Sequence, residues 1–276
     1  MLRALFTALF ALVGFSPALA PTTATAATWA PAATAAIHPG VQTFTNGAQC
    51  TANFVFESAG VVYIGQAAHC ASTGDNTQTD GCLTKSLPLG TPVDVTGASH
   101  PGTLAYSSWI TMQSLGETNP DLCSYNDLAL VQLDPADAAN VNPSIPHWGG
   151  PTGVNTSGTT ALSRVYSYGN SELRFGLTQL SPKLGVSMGD TGNGWEHWVN
   201  TVTPGIPGDS GSAFLDSSGR ALGVLSTLGV SLPLVATNGV GDISREINYM
   251  HTHGGPAASL VNGTQPFNGT QLPLGI

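Results

Sequence analysis

The sequence predicts an all-β fold of two packed β-barrels followed by a C-terminal helix, and three observations predict it. The composition is rich in glycine and poor in charge: 34 Gly and 19 Pro among 276 residues, with 41% hydrophobic and only 8% charged residues. A chain apolar enough to bury a core folds as a globule, and so many glycines suit short strands joined by tight turns. Short β-prone runs separated by turn residues recur along almost the whole chain. They fall into two groups, divided by a stretch without a sustained period.

Residues 1–26 read as a signal peptide. Met1-Leu2-Arg3 gives a positive start, the apolar run 4–15 is too short to span a bilayer, and Ala24-Thr25-Ala26 is a small-x-small cleavage site. Residues 27–39, rich in Ala and Thr, are expected to be a short pro-segment or a disordered start. The first barrel is assigned to residues 40–135. Its β-prone runs are 41–45, 50–57, 61–65, 92–95, 103–112 and 128–133, broken by signals such as Asn46-Gly47 and Ser58-Ala59-Gly60. Residues 136–150 form a connector. The second barrel and its helix take residues 151–253, with runs at 161–168, 184–188, 195–202, 212–215 and 221–227. Asp242 is the expected N-cap of a helix over 243–253, which closes before Gly254-Gly255. Residues 254–276 are expected to be an extended tail.

Seven Lys and Arg against sixteen Asp and Glu give a net charge of −9 with no basic cluster, which argues against nucleic acid as a partner. Four cysteines in an exported chain read as disulfides, for which three connectivities are open, and the Cys70 to Cys82 spacing fits no zinc pattern. His251 and His253, two apart on a helix, point to different sides, so no metal is assigned there. His197, beside Glu196 and between Trp195 and Trp198, reads as part of a strand with aromatic packing. No cofactor is called for.

Three segments carry chemistry. His69 closes Gln66-Ala67-Ala68-His69-Cys70 directly after a strand; Asp127 opens the apolar strand that follows Tyr125-Asn126; Ser210 sits in Pro207-Gly208-Asp209-Ser210-Gly211-Ser212. A serine hydroxyl is a poor nucleophile until an imidazole takes its proton, and the imidazole needs a buried carboxylate to fix its tautomer. Glycines beside the serine permit a strained turn whose N–H groups converge on one spot, where an oxyanion is held.

In the order His, Asp, Ser, these segments resemble the chymotrypsin (trypsin-like) serine proteases over roughly residues 40–253. The family's Ala-Ala-His-Cys box stands at 67–70, its Asp-Leu-Ala-Leu strand at 127–130 and its Gly-Asp-Ser-Gly loop at 208–211. The resemblance implies two six-stranded antiparallel Greek-key barrels with the active site between them and a C-terminal helix. It implies Ser210 as nucleophile, His69 as general base and then acid, and Asp127 as orienting carboxylate. The N–H groups of Gly208 and Ser210 would form the oxyanion hole. It pairs Cys50 with Cys70; Cys82 and Cys123, which have no certain family counterpart, then pair with each other. Ser167-Tyr168-Gly169 is similar to the segment that opens the second barrel, and Ser226, Thr227 and Leu228 lie where the family pairs a strand with substrate.

The departures matter as much. No Ile-Val-Gly-Gly start precedes the first barrel, so Asp209 is expected to lack the amino-terminal partner of zymogen-activated relatives, and its own partner is left open. The pocket position six residues before the nucleophile is Pro204, with no acid from 202 to 207. Leu225 stands where glutamate-preferring members have histidine, and Leu228 where many have glycine. These residues predict a preference for uncharged, small to medium apolar side chains. The expectation is a secreted, monomeric serine endopeptidase acting on protein or peptide substrates, with no membrane partner after signal removal. The alternatives are a non-enzymatic exported binding module on the same fold, or an esterase.

Overall fold

The structure, a computed structural model, describes residues 28–74, 78–231 and 235–273. The expected signal peptide lies outside them. Seven strands build most of the first sheet: β1 (Gln42–Thr45), β2 (Ala48–Thr51), β3 (Val55–Ser58), β4 (Val61–Ala67), β5 (Pro92–Val95), β6 (Gly102–Ser107) and β7 (Leu128–Gln132). Two of its hairpins, β1–β2 and β3–β4, close on two-residue turns, Asn46-Gly47 and Ala59-Gly60, with positive φ at both positions. That geometry matches the right-handed twist of the flanking strands. Two short helices precede β7: α1 (Ser108–Leu115) and α2 (Pro120–Tyr125).

The second sheet comprises β8 (Arg164–Tyr168), β9 (Pro182–Thr191), β10 (Glu196–Thr201), β11 (Ala213–Leu215), β12 (Ala221–Ser231) and β13 (Val235–Asp242). These six close into an antiparallel barrel in the order β10-β13-β12-β11-β8-β9. Helix α3 (Ile243–Thr252) follows, with the Asp242 carboxylate accepting the Arg245 N–H at 2.8 Å as its cap. A last strand, β14 (Ser259–Leu260), returns to β3.

The fold is thus mostly β, in two antiparallel sheets with a C-terminal helix, as expected. The first sheet has eight strands, not six, in the order β14-β3-β4-β7-β6-β5-β1-β2. The expected run 50–57 divides because Ala52, Asn53 and Phe54 turn inward between β2 and β3. The tail adds an edge strand, and its Phe267 packs edge-on against Tyr166. Residues 28–39 are likewise held and not a loose start. Ile37 is fully buried, its N–H donating to Asn140 and its carbonyl accepting from Asn142. The connector is pinned by buried Trp148, whose Nε1 donates to the Ser167 carbonyl at 2.7 Å.

One apolar cluster fills the first sheet around Val55, Ile64, Leu104 and Val131, and another fills the closed barrel around Val165, Phe214 and Val240. A third, including Phe54, Leu130, Trp148, Leu215, Val224 and Met250, draws on both sheets and seals them together. Burial of such side chains contributes roughly 1.5–3 kcal/mol each. Disulfides join Cys50 to Cys70 and Cys82 to Cys123. Among the described residues no helix is long and apolar enough to cross a membrane.

Candidate functional site

Where the two sheets meet, a cleft of about 820 Å³ is lined from one side by Gln49, Cys50, His69, Cys70 and Trp109. Its other side is Gly205 to Gly208, Ser210, Leu225 to Leu228 and Asn238. The sequence places chemistry on both walls for a topological reason: strand ends and their turns from each sheet face the seam, while strand interiors fill the cores.

His69 sits in a single 3-10 turn, Ala68–Ala71, directly after β4. The Cys50–Cys70 bond fastens that turn to β2. Asp127 lies at the entry to β7, which pairs with β4 in a register that sets Leu128 opposite Ala67. The two residues therefore meet. His69 Nδ1 lies 2.7 Å from Asp127 Oδ2, and the His69 main-chain N–H donates to Asp127 Oδ1 at 2.8 Å. Asp127 is buried and His69 partly exposed. Burial opposes protonation of the imidazole, but the charge and hydrogen bond of Asp127 prevail and hold its pKa above the ordinary value.

Ser226 completes the carboxylate's shell, its hydroxyl donating to Asp127 Oδ2 at 2.5 Å. The β12–β13 ladder slips there: Leu225 opposes Val240 and Thr227 opposes Gly239, leaving Ser226 as an extra residue. A β-bulge of this kind re-aims a side chain. Sequence reasoning assigned Ser226 to a substrate-pairing strand and missed this contact, because a bulge leaves no periodic signal.

Ser210 occupies the turn before β11, in the same cleft as His69, and its carbonyl accepts the Thr51 N–H at 2.8 Å. Among the described residues no hydrogen bond joins its Oγ to His69. Such contacts are often long in the free state. Gly208 has φ +93°, a backbone conformation that favours glycine, and a Cβ on it would also have to displace the Gln49 amide, whose Oε1 lies 2.1 Å from that position. Gln49 and Thr51 both donate to the Gly208 carbonyl, at 3.0 and 2.8 Å. The N–H of Asp209 is bonded to the Ile206 carbonyl, whereas the N–H groups of Gly208 and Ser210 have no acceptor among the described residues. Two unpaired donors at one turn are what an oxyanion needs.

The partner of Asp209, left open by the sequence, is internal to the chain. Its fully buried carboxylate pairs with Arg174 Nη2 and with Lys183 Nζ at 2.9 Å, and also accepts from the main chains of Ser171 and Ile206. Burial pulls the Lys183 ammonium down to about 8, against the opposing attraction of Asp209. No local signal announces these pairings, which span 35 and 26 residues. Both cations also donate to the Pro204 carbonyl. The cleft wall starts at Gly205, and Pro204 is not among its lining residues. Thr227 and exposed Leu228 line the cleft beside Ser226. Trp109, from α1, tilts against His69 with ring centroids 6.3 Å apart. It too escaped the sequence reading, which gave that segment to a strand.

Elsewhere, His197 is held differently from the aromatic packing expected of it. Its ring nitrogens lie 2.7 Å from Asp190 Oδ1 and 3.0 Å from Asp242 Oδ2. His251 and His253 are turned to separate main-chain carbonyls, those of Ala258 and Tyr249. The two clusters of potential metal-ligating atoms, around Cys50–His69–Cys70 and Asp80–Cys82–Cys123, consist largely of sulfurs already in disulfides.

No family model matches the sequence, and no curated protein matches it. Among solved structures the chain is similar to Thermobifida fusca Protease A, at a TM-score of 0.51 and 18% identity over 82% of this chain and 99% of that one. It is similar in the same measure to a glutamic acid specific serine protease described as using a histidine triad in substrate binding. There the TM-score is 0.51 and the identity 15%, over 82% of this chain and the whole of the other. At such identities the likeness is one of fold: the chain has the two-sheet architecture of trypsin-like serine proteases.

Proposed function

We propose that the chain is a secreted serine endopeptidase of the chymotrypsin-like family, cleaving peptide bonds through an acyl-enzyme. The observation that carries this reading is His69 paired with buried Asp127 in one cleft with Ser210, beside the N–H groups of Gly208 and Ser210, which have no acceptor among the described residues. Ser210 Oγ attacks the scissile carbonyl while His69 Nε2 takes its proton. Asp127 holds the Nδ1–H and stabilises the imidazolium. The carbonyl oxygen, now an oxyanion, settles on the two free N–H groups. His69 then returns the proton to the leaving amine, and water repeats the sequence on the ester. The chemistry is complete without a metal or cofactor.

The Arg174–Asp209–Lys183 cluster supports a site formed without a freed amino terminus, since two internal cations already hold the residue before the nucleophile. Export, with removal of residues 1–26, is supported by two disulfides, which persist in oxidising compartments. We take the enzyme to act as a monomer on protein or peptide substrates. No acidic side chain lines the cleft among the described residues, and two cations against one acid stand behind the 203–207 loop. A buried Lys or Arg of substrate would lack a counter-charge there. Glutamate specificity of the neighbour's histidine type is not supported either, because His69 is the only histidine among the described lining residues.

A fluorophosphonate tests the reading. It should label wild-type protein at Ser210 alone, and Ser210→Ala should abolish both labelling and peptide hydrolysis. Labelling that survives the substitution overturns the assignment. On a peptide library, cleavage predominantly after Lys or Arg would overturn the specificity and leave the nucleophile intact.

A further inference from the structure

Glu246 projects from the first turn of α3 and is fully buried, yet the hydrolytic reading gives it no task. Its Oε1 accepts the main-chain N–H of Asp127 at 2.8 Å, while its Oε2 has no partner among the described residues. A Cβ on Gly241 would meet Oε1 at 2.7 Å, so the carboxyl lies against bare backbone. The charged groups that face it are both acids, Asp127 at the entry to β7 and Asp242 at the start of its own helix. The other titratable neighbours are Tyr106 from β6 and Tyr249, one turn on along α3. Among the described residues no Lys, Arg or His pairs with it, and the helix N-terminus is already capped by Asp242.

A buried carboxylate with one hydrogen bond and two acidic neighbours is far costlier than the neutral acid, and such groups take up a proton instead. Burial, reinforced by the charges of Asp127 and Asp242, outweighs the Asp127 N–H and holds the Glu246 carboxyl well above its usual range. A neutral carboxyl still offers a carbonyl-type oxygen to the Asp127 N–H. An ionised one would set a second negative charge beside the one that orients His69.

We propose that Glu246, as the neutral acid, is a positioning residue for the hydrolytic site: it fixes the Asp127 main chain from α3 without adding charge to the His69–Asp127 pair. This rests on the serine-hydrolase reading above. The proton resides on Oε2, and Oε1 accepts from Asp127.

Glu246→Gln keeps the shape and the acceptor, whereas Glu246→Leu removes the acceptor. Glu246→Gln should keep kcat/KM within about threefold of wild type. The acidic limb of its pH profile should not move. Glu246→Leu should lower kcat by about 30-fold with little change in KM, the equivalent of roughly 2 kcal/mol of lost positioning. Infrared spectra at neutral pH should contain a protonated-carboxyl C=O band that disappears in Glu246→Gln, a readout that does not depend on activity. The absence of that band from wild type overturns the proposal. So does a downward shift of about one pH unit in the acidic limb of Glu246→Gln, the mark of a removed charge. A folded Glu246→Leu variant with wild-type kcat and only a lower melting temperature leaves a purely structural role and overturns positioning. If Glu246→Leu does not fold, the Gln variant and the infrared band decide. Wild-type protein that takes no fluorophosphonate fails the hydrolase reading, and the positioning role falls with it even where the band is present.

Discussion

Asp127 Oδ2 accepts from both His69 Nδ1 and the Ser226 hydroxyl, while Oδ1 accepts the His69 main-chain N–H. Each donor fixes the carboxylate's rotation, and the carboxylate in turn fixes the imidazole. Because Asp127 raises the His69 pKa, the neutral imidazole that accepts the serine proton is lost on acidification through a value above 6.5. The kcat/KM profile for peptide hydrolysis should therefore have its acidic limb above that value, and a rate flat across this range would remove His69 as the base. Ser226→Ala deletes a hydrogen bond to a charged group, worth about 1.5–3 kcal/mol, and should slow hydrolysis by about 10- to 100-fold. It should also move the acidic limb upward, because less of the Asp127 charge is then shared with other donors. At this scale His69, Asp127 and Ser210 are legible in the sequence through their short flanking motifs. The Ser226 hydroxyl, Arg174 and Lys183 are not, since a bulge and long-range ion pairs have no local pattern.

Helix α3 owes its placement to Asp242, which caps it and also receives His197 Nε2. With Asp190 on the other nitrogen, buried His197 has a carboxylate at each end, the arrangement of an imidazolium. Burial opposes that charge, but the hydrogen bonds and charges of Asp242 and Asp190 raise its pKa. The folded value lies above the unfolded one, so this contribution to stability is complete below about pH 6.5 and fades as pH rises through the raised folded value. Melting temperatures measured from mildly acidic to alkaline pH should show wild type losing stability relative to His197→Gln as pH rises. A constant gap between the two curves would mean that His197 does not titrate in this window.

The same scale explains what the periodicity reveals and conceals. The α3 helix was readable from Asp242 and the following Gly254-Gly255. The α2 helix carries its own signal, Asn119 accepting from the Asp121 N–H with Pro120 at the first helical position, but it is too short for a period to emerge. The α1 helix contradicts its β-prone Trp109-Ile110-Thr111, because burying Trp109 and Met112 against the first sheet outweighs local preference. Strand β13 was invisible for the opposite reason. Its Gly239 has no side chain to contribute to a pattern, yet a Cβ there would strike Glu196 and Thr227 from the flanking strands.

At the scale of the molecule, the two disulfides divide the labour between stability and catalysis. Cys50–Cys70 closes a separation of 20 residues and holds the turn that carries His69. Cys82–Cys123 closes one of 41 and joins the loop before β5 to α2, and neither cysteine is among the described residues that line the cleft. Chain entropy predicts losses of about 3 and about 4 kcal/mol when the respective bonds are removed. The larger stability loss thus belongs to the bond farther from the chemistry. The paired variant Cys82→Ser/Cys123→Ser should have the lower denaturation midpoint while its folded fraction hydrolyses peptides close to the wild-type rate. Cys50→Ser/Cys70→Ser should be the more stable of the two and the slower, since the His69 turn then floats relative to Asp127. Denaturant titration with active-site-normalised kcat/KM on both variants separates the two effects. Equal kinetic losses would mean that the Cys82–Cys123 loop also bears on the His69–Asp127 geometry, and that stability and catalysis are not divided between the two bonds.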